Sequence, residues 1–194
     1  MTRTGRPRSF DEDTALQAAM TAFWEGGYTG TTYRDLEQAT GLRRQSLTYA
    51  FGEKPDLFRR ALALYIDQRV RKACALLAQD APFRDNLSAL LNAWEADASS
   101  GNGRGCLLVR ATAEVGLDPH MTSEIRRGDT LLLQALTQAF DRAQLAGEIP
   151  SAAPPEALAR LVISVGNGAM TQAVARQDPE VSRAAHDALL SLLT

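Results

Sequence analysis

An all-helical fold is what this sequence predicts, and three observations predict it. Alanine and leucine are abundant while aromatic residues make up only 6% of the chain, a balance that favours helix over sheet. Apolar residues recur at three- and four-residue intervals, and no segment shows the alternation of a half-buried strand. Capping residues, glycines and prolines then divide the chain into about nine helices.

The elements follow in order. Ser9 and Glu12 have the spacing of a capping box, and Ala15, Leu16, Ala19 and Phe23 share one helix face until Gly26-Gly27 stops it. Thr32 and Asp35 form a second such cap for a short helix through Ala39, which Gly41 ends in a tight turn. A third short helix runs from about Arg43 to Tyr49. Pro55 sits in the first turn of a long helix, where its missing N–H costs little, and that helix reaches about Gln79 with Leu57, Ala61, Leu64 and Ile66 among its apolar residues. Pro82 starts a helix through about Ala98, and Ser99 to Gly103 is a loop. Gly105 to Val115 is helical up to a break at Gly116 and Pro119. The next helix spans about Met121 to Ala146, with Ile125, Leu132, Leu136 and Phe140 facing inward. A connection from Gly147 to Pro155 leads to a helix from Glu156 to Gln177, and Pro179 opens the last one, which ends at Leu193.

Composition narrows the class. The 194 residues are 45% apolar, enough for a substantial core, yet no stretch of eighteen apolar residues exists to cross a membrane. The basic N-terminus, Met1 to Arg8, leads into no apolar signal segment, so the expected location is the cytoplasm. Cys74 and Cys106 are too few for a disulfide framework or a zinc site, and no cofactor or metal is expected. The net charge of −2 is unevenly spread. Residues 1–72 carry twelve Lys/Arg and nine Asp/Glu, or +3, and residues 73–194 carry nine and fourteen, or −5. A basic head on an acidic body suits a protein whose head neutralises phosphates and whose body does not.

The first third concentrates the functional signal. Three short helices, the second and third joined by a glycine turn, match a helix-turn-helix spanning Thr32 to about Phe51. Leu36, Leu42, Leu47 and Phe51 are placed to hold the pair on the first helix. The third helix presents Arg43, Arg44, Gln45, Ser46, Thr48 and Tyr49. Such side chains suit a major groove, with arginine bidentate to guanine, glutamine to adenine, and hydroxyls to phosphate or base. The same face also fits an ordinary solvated helix. The arm of Arg3, Arg6 and Arg8 reads either as a minor-groove or phosphate contact or as a free tail.

Gly27 through Leu36, then Thr40-Gly41-Leu42, then Ser46 through Leu57 together resemble the N-terminal signature of the TetR family of transcriptional regulators, a likeness that covers about residues 8–60. The Arg-Gln-Ser-Leu and Phe-Gly-Glu-Lys variants, with the later Gly105 to Val109, resemble one subgroup of it. The resemblance implies an all-α homodimer, with a helix-turn-helix domain over residues 1–53 and a helical ligand-binding and dimerisation domain over 54–194. It implies double-stranded operator DNA and a small-molecule effector as partners. It assigns Thr31 and Thr32 to capping and phosphate contact, Lys54 to the DNA backbone, and Arg43, Arg44 and Gln45 to the recognition surface. Three departures stand out. Thr48 replaces the tyrosine after the leucine, and Tyr49 is placed to take over its reach. Glu37 stands where a small residue usually lies at the helix crossing and must turn outward or widen it. Arg43 stands where a serine caps the third helix, leaving that cap weak.

In the C-terminal part, Val162, Gly166, Ala169 and Ala173 line one side of a helix, and Val181, Ala185 and Leu189 add a side of the last one. Small residues allow close helix approach, so these fit an isologous dimer interface and equally an intrachain core. The resemblance places an effector cavity among the middle helices, with Trp94, Cys106, His120, Phe140, Asn167 and Met170 as candidates. Cys106 opens a helix after Gly103-Arg104-Gly105, where the helix dipole and Arg104 favour a thiolate able to react with electrophiles; the plainer reading is a buried small apolar residue.

An enzyme is the main rival. The chain holds only His120 and His186 and no metalloprotease, nucleophile-elbow or phosphate-loop motif, Asp11-Glu12-Asp13 suits a helix start, and Glu114 and Asp118 read as solvated. An interaction module without DNA binding is the second rival. The reading that best fits is a ligand-responsive repressor that binds a palindromic operator as a homodimer and is released by a small molecule or a reactive electrophile.

Overall fold

Asp11 caps the first helix: its carboxylate accepts the Asp13 N–H at 3.1 Å and the Thr14 hydroxyl at 2.5 Å. This is seen in a computed structural model that describes residues 10–99, 104–151 and 153–193; Ser9, the Arg3-Arg6-Arg8 arm and the loop from Ser100 to Gly103 lie outside them. Among the described residues there are nine helices and no strand. They are α1 Glu12–Gly30, α2 Tyr33–Thr40, α3 Arg44–Phe51, α4, α5 Phe83–Ser99, α6 Leu107–Val115, α7 Pro119–Leu145, α8 Pro155–Arg176 and α9 Glu180–Leu193. Helix α4 is continuous in three stretches, Lys54–Tyr65, a π-helical turn Ile66–Val70, and Arg71–Leu77.

Two boundaries differ from expectation. Gly27 breaks α1, with φ +73°, but the chain regains one helical turn and ends at Gly30. A side chain at Gly27 would run into the Glu114 carboxylate and the Arg110 guanidinium, so glycine serves here for both conformation and close approach. The long α4 carries a π-turn in which the Arg71 N–H reaches the Ile66 carbonyl five residues back. Beside this turn, Arg127 of α7 donates to the Ala63 carbonyl at 3.3 Å and to Asp67 at 3.3 Å.

Packing divides into two apolar clusters. The first joins α1 to α4 with α6 and the start of α7 around Phe23, Trp24, Leu36, Leu47, Phe58, Leu62 and Ile66. The Phe23 and Phe58 rings meet edge to face at 4.9 Å. The second joins the end of α4 with α5, α7, α8 and α9 around Leu77, Leu87, Leu90, Leu136, Phe140 and Val162. Each fully buried large side chain contributes roughly 1.5–3 kcal/mol. No described helix is long and apolar enough to cross a membrane.

Val162, Ala173 and Leu189 belong to this second core, and Gly166 and Ala169 are likewise buried on α8. Val162 is fully buried, and a side chain at Gly166 would collide with the Trp94 indole of α5. Their small size lets α8 approach α5 within one chain, so the expected intersubunit stripe is corrected to intrachain packing. Val181 and Ala185 are half-buried on α9. The more outward side of α8 carries the exposed Leu161 with half-buried Val165 and Gly168, and that of α9 carries the exposed Ala188 and Leu192 with half-buried Val181 and Ala185; Val165 and Val181 also touch the second cluster.

Candidate nucleic-acid interface and effector cavity

Helix α2 opens on the predicted capping box: the Thr32 hydroxyl accepts the Asp35 N–H at 3.3 Å, and the Asp35 carboxylate accepts the Thr32 N–H at 2.8 Å. It closes at Gly41 in the left-handed region, whose N–H returns to the Glu37 carbonyl at 2.9 Å. Leu36 and Leu47 are fully buried and Leu42 partly so, which fixes α3 across α2. Arg43, as expected, offers no side-chain cap to α3. The Glu37 carboxylate supplies one instead, accepting the Arg44 N–H at 2.7 Å.

Arg43, Arg44, Gln45 and Tyr49 stand exposed on one side of α3, Tyr49 at 80%, and Ser46 is half-buried. Two hydroxyls are corrected. Thr31 is 2% exposed, and its hydroxyl donates to the Gly27 carbonyl at 2.6 Å, so it closes the end of α1 and does not face a phosphate. The Thr48 hydroxyl is buried on the inner side of α3 beside the Tyr33 phenol.

Tyr33 is the organising residue that motif reading assigned no role. Its hydroxyl donates to Glu53 at 2.7 Å and accepts the Lys54 N–H at 3.0 Å, and the Arg44 guanidinium lies 4.1 Å over its ring. The starts of α2, α3 and α4 are thereby tied together at one aromatic side chain. The Lys54 ammonium lies 4.7 Å over the Tyr28 ring; burial lowers its pKa, and the Glu114 and Asp35 carboxylates work against that shift.

Helix α6 holds this head to the body. Trp24 donates its indole N–H to the Gly105 carbonyl at 2.8 Å. Arg110 donates to the Trp24 and Glu25 carbonyls at 3.2 and 2.9 Å, and Arg104 pairs with Glu25 at 2.6 Å. Glu114, expected to be solvated, accepts the Thr29 N–H at 2.7 Å, and Asp118 caps α7 through the His120 N–H at 2.8 Å. These bonds satisfy carbonyls and an N–H left over where α1 breaks at Gly27. No sequence periodicity reports them, because they link residues about eighty apart.

The opposite side of α6 faces a cavity of about 590 Å³ between α4, α5, α7 and α8. Trp94, Cys106, Asn167 and Met170 line it as expected. Phe140 does not, because it is fully buried against Phe83 at 4.8 Å; His120 does not, because it sits exposed in the first turn of α7. Tyr65, missed by sequence reading, does line it: its hydroxyl lies 3.6 Å from Cys106 Sγ, and its ring packs edge-on against Trp24 at 5.2 Å. Burial pushes both the Tyr65 phenol and the Cys106 thiol up in pKa. Cys106 is the N-cap of α6, but burial outweighs the helix start and Arg104 is engaged by Glu25, which favours the reading of a buried small apolar residue over that of a thiolate. Among the described residues no cluster of three His, Cys, Asp or Glu is arranged to hold a metal.

Comparison with known proteins agrees with this layout. Residues 15–61 match the family described as bacterial regulatory proteins, tetR family, and residues 83–189 match the tetracyclin repressor-like C-terminal domain. The HTH-type transcriptional repressor ComR of Escherichia coli K12 is 30% identical over 152 residues, covering 75% of this chain and 71% of ComR. A cysteine-substituted form of the TetR family regulator CifR, solved with 26-base-pair operator DNA, superposes with a TM-score of 0.85 at 31% identity, covering 98% of this chain and all of that one. A TetR family regulator from Agrobacterium tumefaciens shares the fold, with a TM-score of 0.86 at 24% identity over 94% of this chain and 96% of that one. A helix-turn-helix head on a helical body, matched at both ends, makes this chain a member of the TetR family of DNA-binding transcriptional regulators.

Proposed function

We propose that this regulator is a repressor that binds a palindromic operator as a homodimer and leaves it when a small molecule enters the cavity. The observation that carries the reading is that one short element borders both sites. Gly105 lines the cavity and accepts the Trp24 indole of the DNA-binding head, and α6 bears cavity residues on one side and the Arg110 and Glu114 clasps on α1 on the other. A molecule that displaces α6 therefore acts on the tilt of the head, and the ligand's differential affinity for the two tilts sets the response. The relatives support repression, since ComR is named a repressor.

Dimerisation is assigned to the outward stripes, Leu161, Val165 and Gly168 on α8 with Val181, Ala185, Ala188 and Leu192 on α9. Both recur at intervals of three and four, and an isologous pairing of two such helices from each copy would cover them. On the DNA side, Arg43, Arg44, Gln45 and Tyr49 read bases, whereas Thr32, Ser46 and Lys54 meet the backbone. Release by non-covalent occupancy is favoured over thiol modification, because burial keeps Cys106 protonated.

The test is binding of the purified protein to its gene's own upstream region, followed by competition with small-molecule extracts of the host. Release of specific DNA by an extract fraction is the expected result. A protein that binds no upstream fragment at low salt would overturn the assignment, and release lost in Cys106→Ser would return the thiol chemistry.

A further inference from the structure

The cavity sorts its charges. Of the five charged side chains in its lining, Arg69, Lys72, Asp129 and Arg160 are exposed and Asp97 is half-buried. Two of the cations are already engaged, Arg69 with Asp97 at 3.1 Å and Arg160 with Glu156 at 2.7 Å. The buried lining is uncharged, with Tyr65, Val70, Ala73, Trp94, Leu108 and Met170 as its main side chains. A charged group carried past the rim would lose its hydration; an anion would meet the Asp97 and Asp129 carboxylates, whose pKa burial already raises, and a cation would find Asp97 paired with Arg69.

One buried group inside is poorly used. The Tyr65 hydroxyl oxygen receives the Leu107 N–H, but its own proton points only to Cys106 Sγ at 3.6 Å. Sulfur is a weak acceptor, so a strong phenolic donor is held in a dry wall with a partner that an oxygen would improve on. The residue is 4% exposed, and burial keeps it protonated, hence always a donor. Across the space stands the Trp94 indole, a flat apolar surface that Gly166 backs from behind.

Resting on the reading of this cavity as the effector site, we infer that it takes an uncharged, flat, largely apolar molecule bearing a hydrogen-bond acceptor, which lies along Trp94 and receives the Tyr65 hydroxyl in place of Cys106 Sγ. No bond is made or broken with the thiol. The choice of Tyr65 as the polar anchor also places the ligand where the head is felt, since the Tyr65 ring abuts Trp24 and Trp24 donates to Gly105.

Four matched probes test this by titration calorimetry on the full chain: 2-acetylnaphthalene, 2-ethylnaphthalene, 2-naphthoate and 2-naphthylmethylammonium. The ketone is expected to bind at least about 10-fold more tightly than either ion, the difference that roughly 1.4 kcal/mol makes. Tyr65→Phe, which keeps the ring, is expected to weaken the ketone about 5- to 10-fold relative to the ethyl compound, as loss of one hydrogen bond does. Cys106→Ser is expected to leave ketone binding in place. An ion binding more tightly than the ketone overturns the inference about charge. An unchanged ketone-to-ethyl ratio in Tyr65→Phe overturns the role of Tyr65. Binding of none of the four, by protein that still shifts DNA, overturns instead the reading of the cavity as an effector site.

Discussion

The Glu37 carboxylate accepts the backbone N–H of Arg44 at 2.7 Å, so the helix before the glycine turn caps the helix after it. Arg43 occupies the N-cap of α3 without capping it, and Glu37 occupies a crossing where bulk is unwelcome. The two departures answer each other: the longer acidic side chain reaches the helix start that the arginine leaves open, and its charge suits the positive end of the dipole. Replacing Glu37 with Ala should destabilise the chain by about 1 kcal/mol, the usual worth of an N-cap. Glu37→Gln, which keeps an acceptor oxygen, should recover much of that. Urea denaturation of both variants checks this, and equal losses would assign the effect to charge alone.

This pairing shows what the sequence discloses. The fold class, the Thr32-Asp35 box, the Gly41 turn and the burial of Leu36 and Leu47 are local in chain distance, and periodicity reports them directly. Thr31 misled because a hydroxyl near a helix start reads as a cap, while its actual partner is the Gly27 carbonyl of the preceding helix. The small-residue stripe on α8 misled for a different reason. Smallness signals a close crossing but not whose helix crosses, and the crossing partner is Trp94 of the same chain. Tyr33, Tyr65 and Glu114 were invisible as hubs because their partners lie 20, 41 and 85 residues away.

That correction makes the dimer testable by contrast. Gly166→Arg should disrupt the core against Trp94 and unfold the chain, with loss of helical circular dichroism. Leu161→Arg, at the exposed position of the outward stripe, should leave the helical signal and melting of the isolated chain nearly intact while sedimentation shifts to the monomer. A dimer that persists in Leu161→Arg would place the interface elsewhere.

His186 predicts an acid sensitivity. It is 3% exposed, packs beside the equally buried Ser182, and neither ring nitrogen nor the serine hydroxyl has a hydrogen-bond partner among the described residues. Burial lowers its pKa from the ordinary value near 6.5, while the Glu95 and Asp187 carboxylates oppose the shift. Below about pH 6.5 the unfolded chain therefore takes up a proton that the folded chain resists. Stability is full above that pH and falls as pH drops from there towards the folded value. The wild-type melting temperature should decline over that interval more steeply than that of His186→Leu, because the leucine removes the proton linkage. Parallel curves for the two proteins would show that His186 titrates alike in both states.

The clasp between α6 and α1 should set affinity for DNA without touching it. Glu114→Gln keeps an acceptor for the Thr29 N–H but removes the charge paired with Arg110 at 3.4 Å. Gly27→Ala forces a side chain into the Glu114 and Arg110 groups at a residue with φ +73°. The first should change operator affinity by less than about 5-fold, since a partly exposed ion pair is worth at most about 1 kcal/mol. The second should lower it far more, with the head's orientation lost. Operator anisotropy titrations on folded samples separate the two, and a Gly27→Ala protein with full affinity would show that the clasp is not part of the binding state.

The reading of DNA gives the sharpest division of labour. In the proposed dimer, two α3 helices related by a twofold would enter successive major grooves on one side of the duplex, so half-site centres should lie about 34–36 Å apart in an inverted repeat. Tyr33 stacks under the Arg44 guanidinium at 4.1 Å and Glu53 lies 3.8 Å from it, which would hold the side chain ready for the proposed base contact, while Gln45 is exposed to solvent. Removing either side chain should cost roughly 1–3 kcal/mol per half-site and relax preference at one base position. Lys54 is different in kind. Its ammonium lies over Tyr28 at the start of α4 and carries no pattern of donors that distinguishes bases, which suits the proposed backbone contact. Lys54→Ala should weaken all operator variants about equally and flatten the salt dependence, since one phosphate contact and its released counterion are lost from each subunit. Binding of a panel of operator variants at two salt concentrations reads both effects at once. A change of sequence preference in Lys54→Ala, with preference intact in Arg44→Ala and Gln45→Ala, would reverse the assignment of the recognition surface.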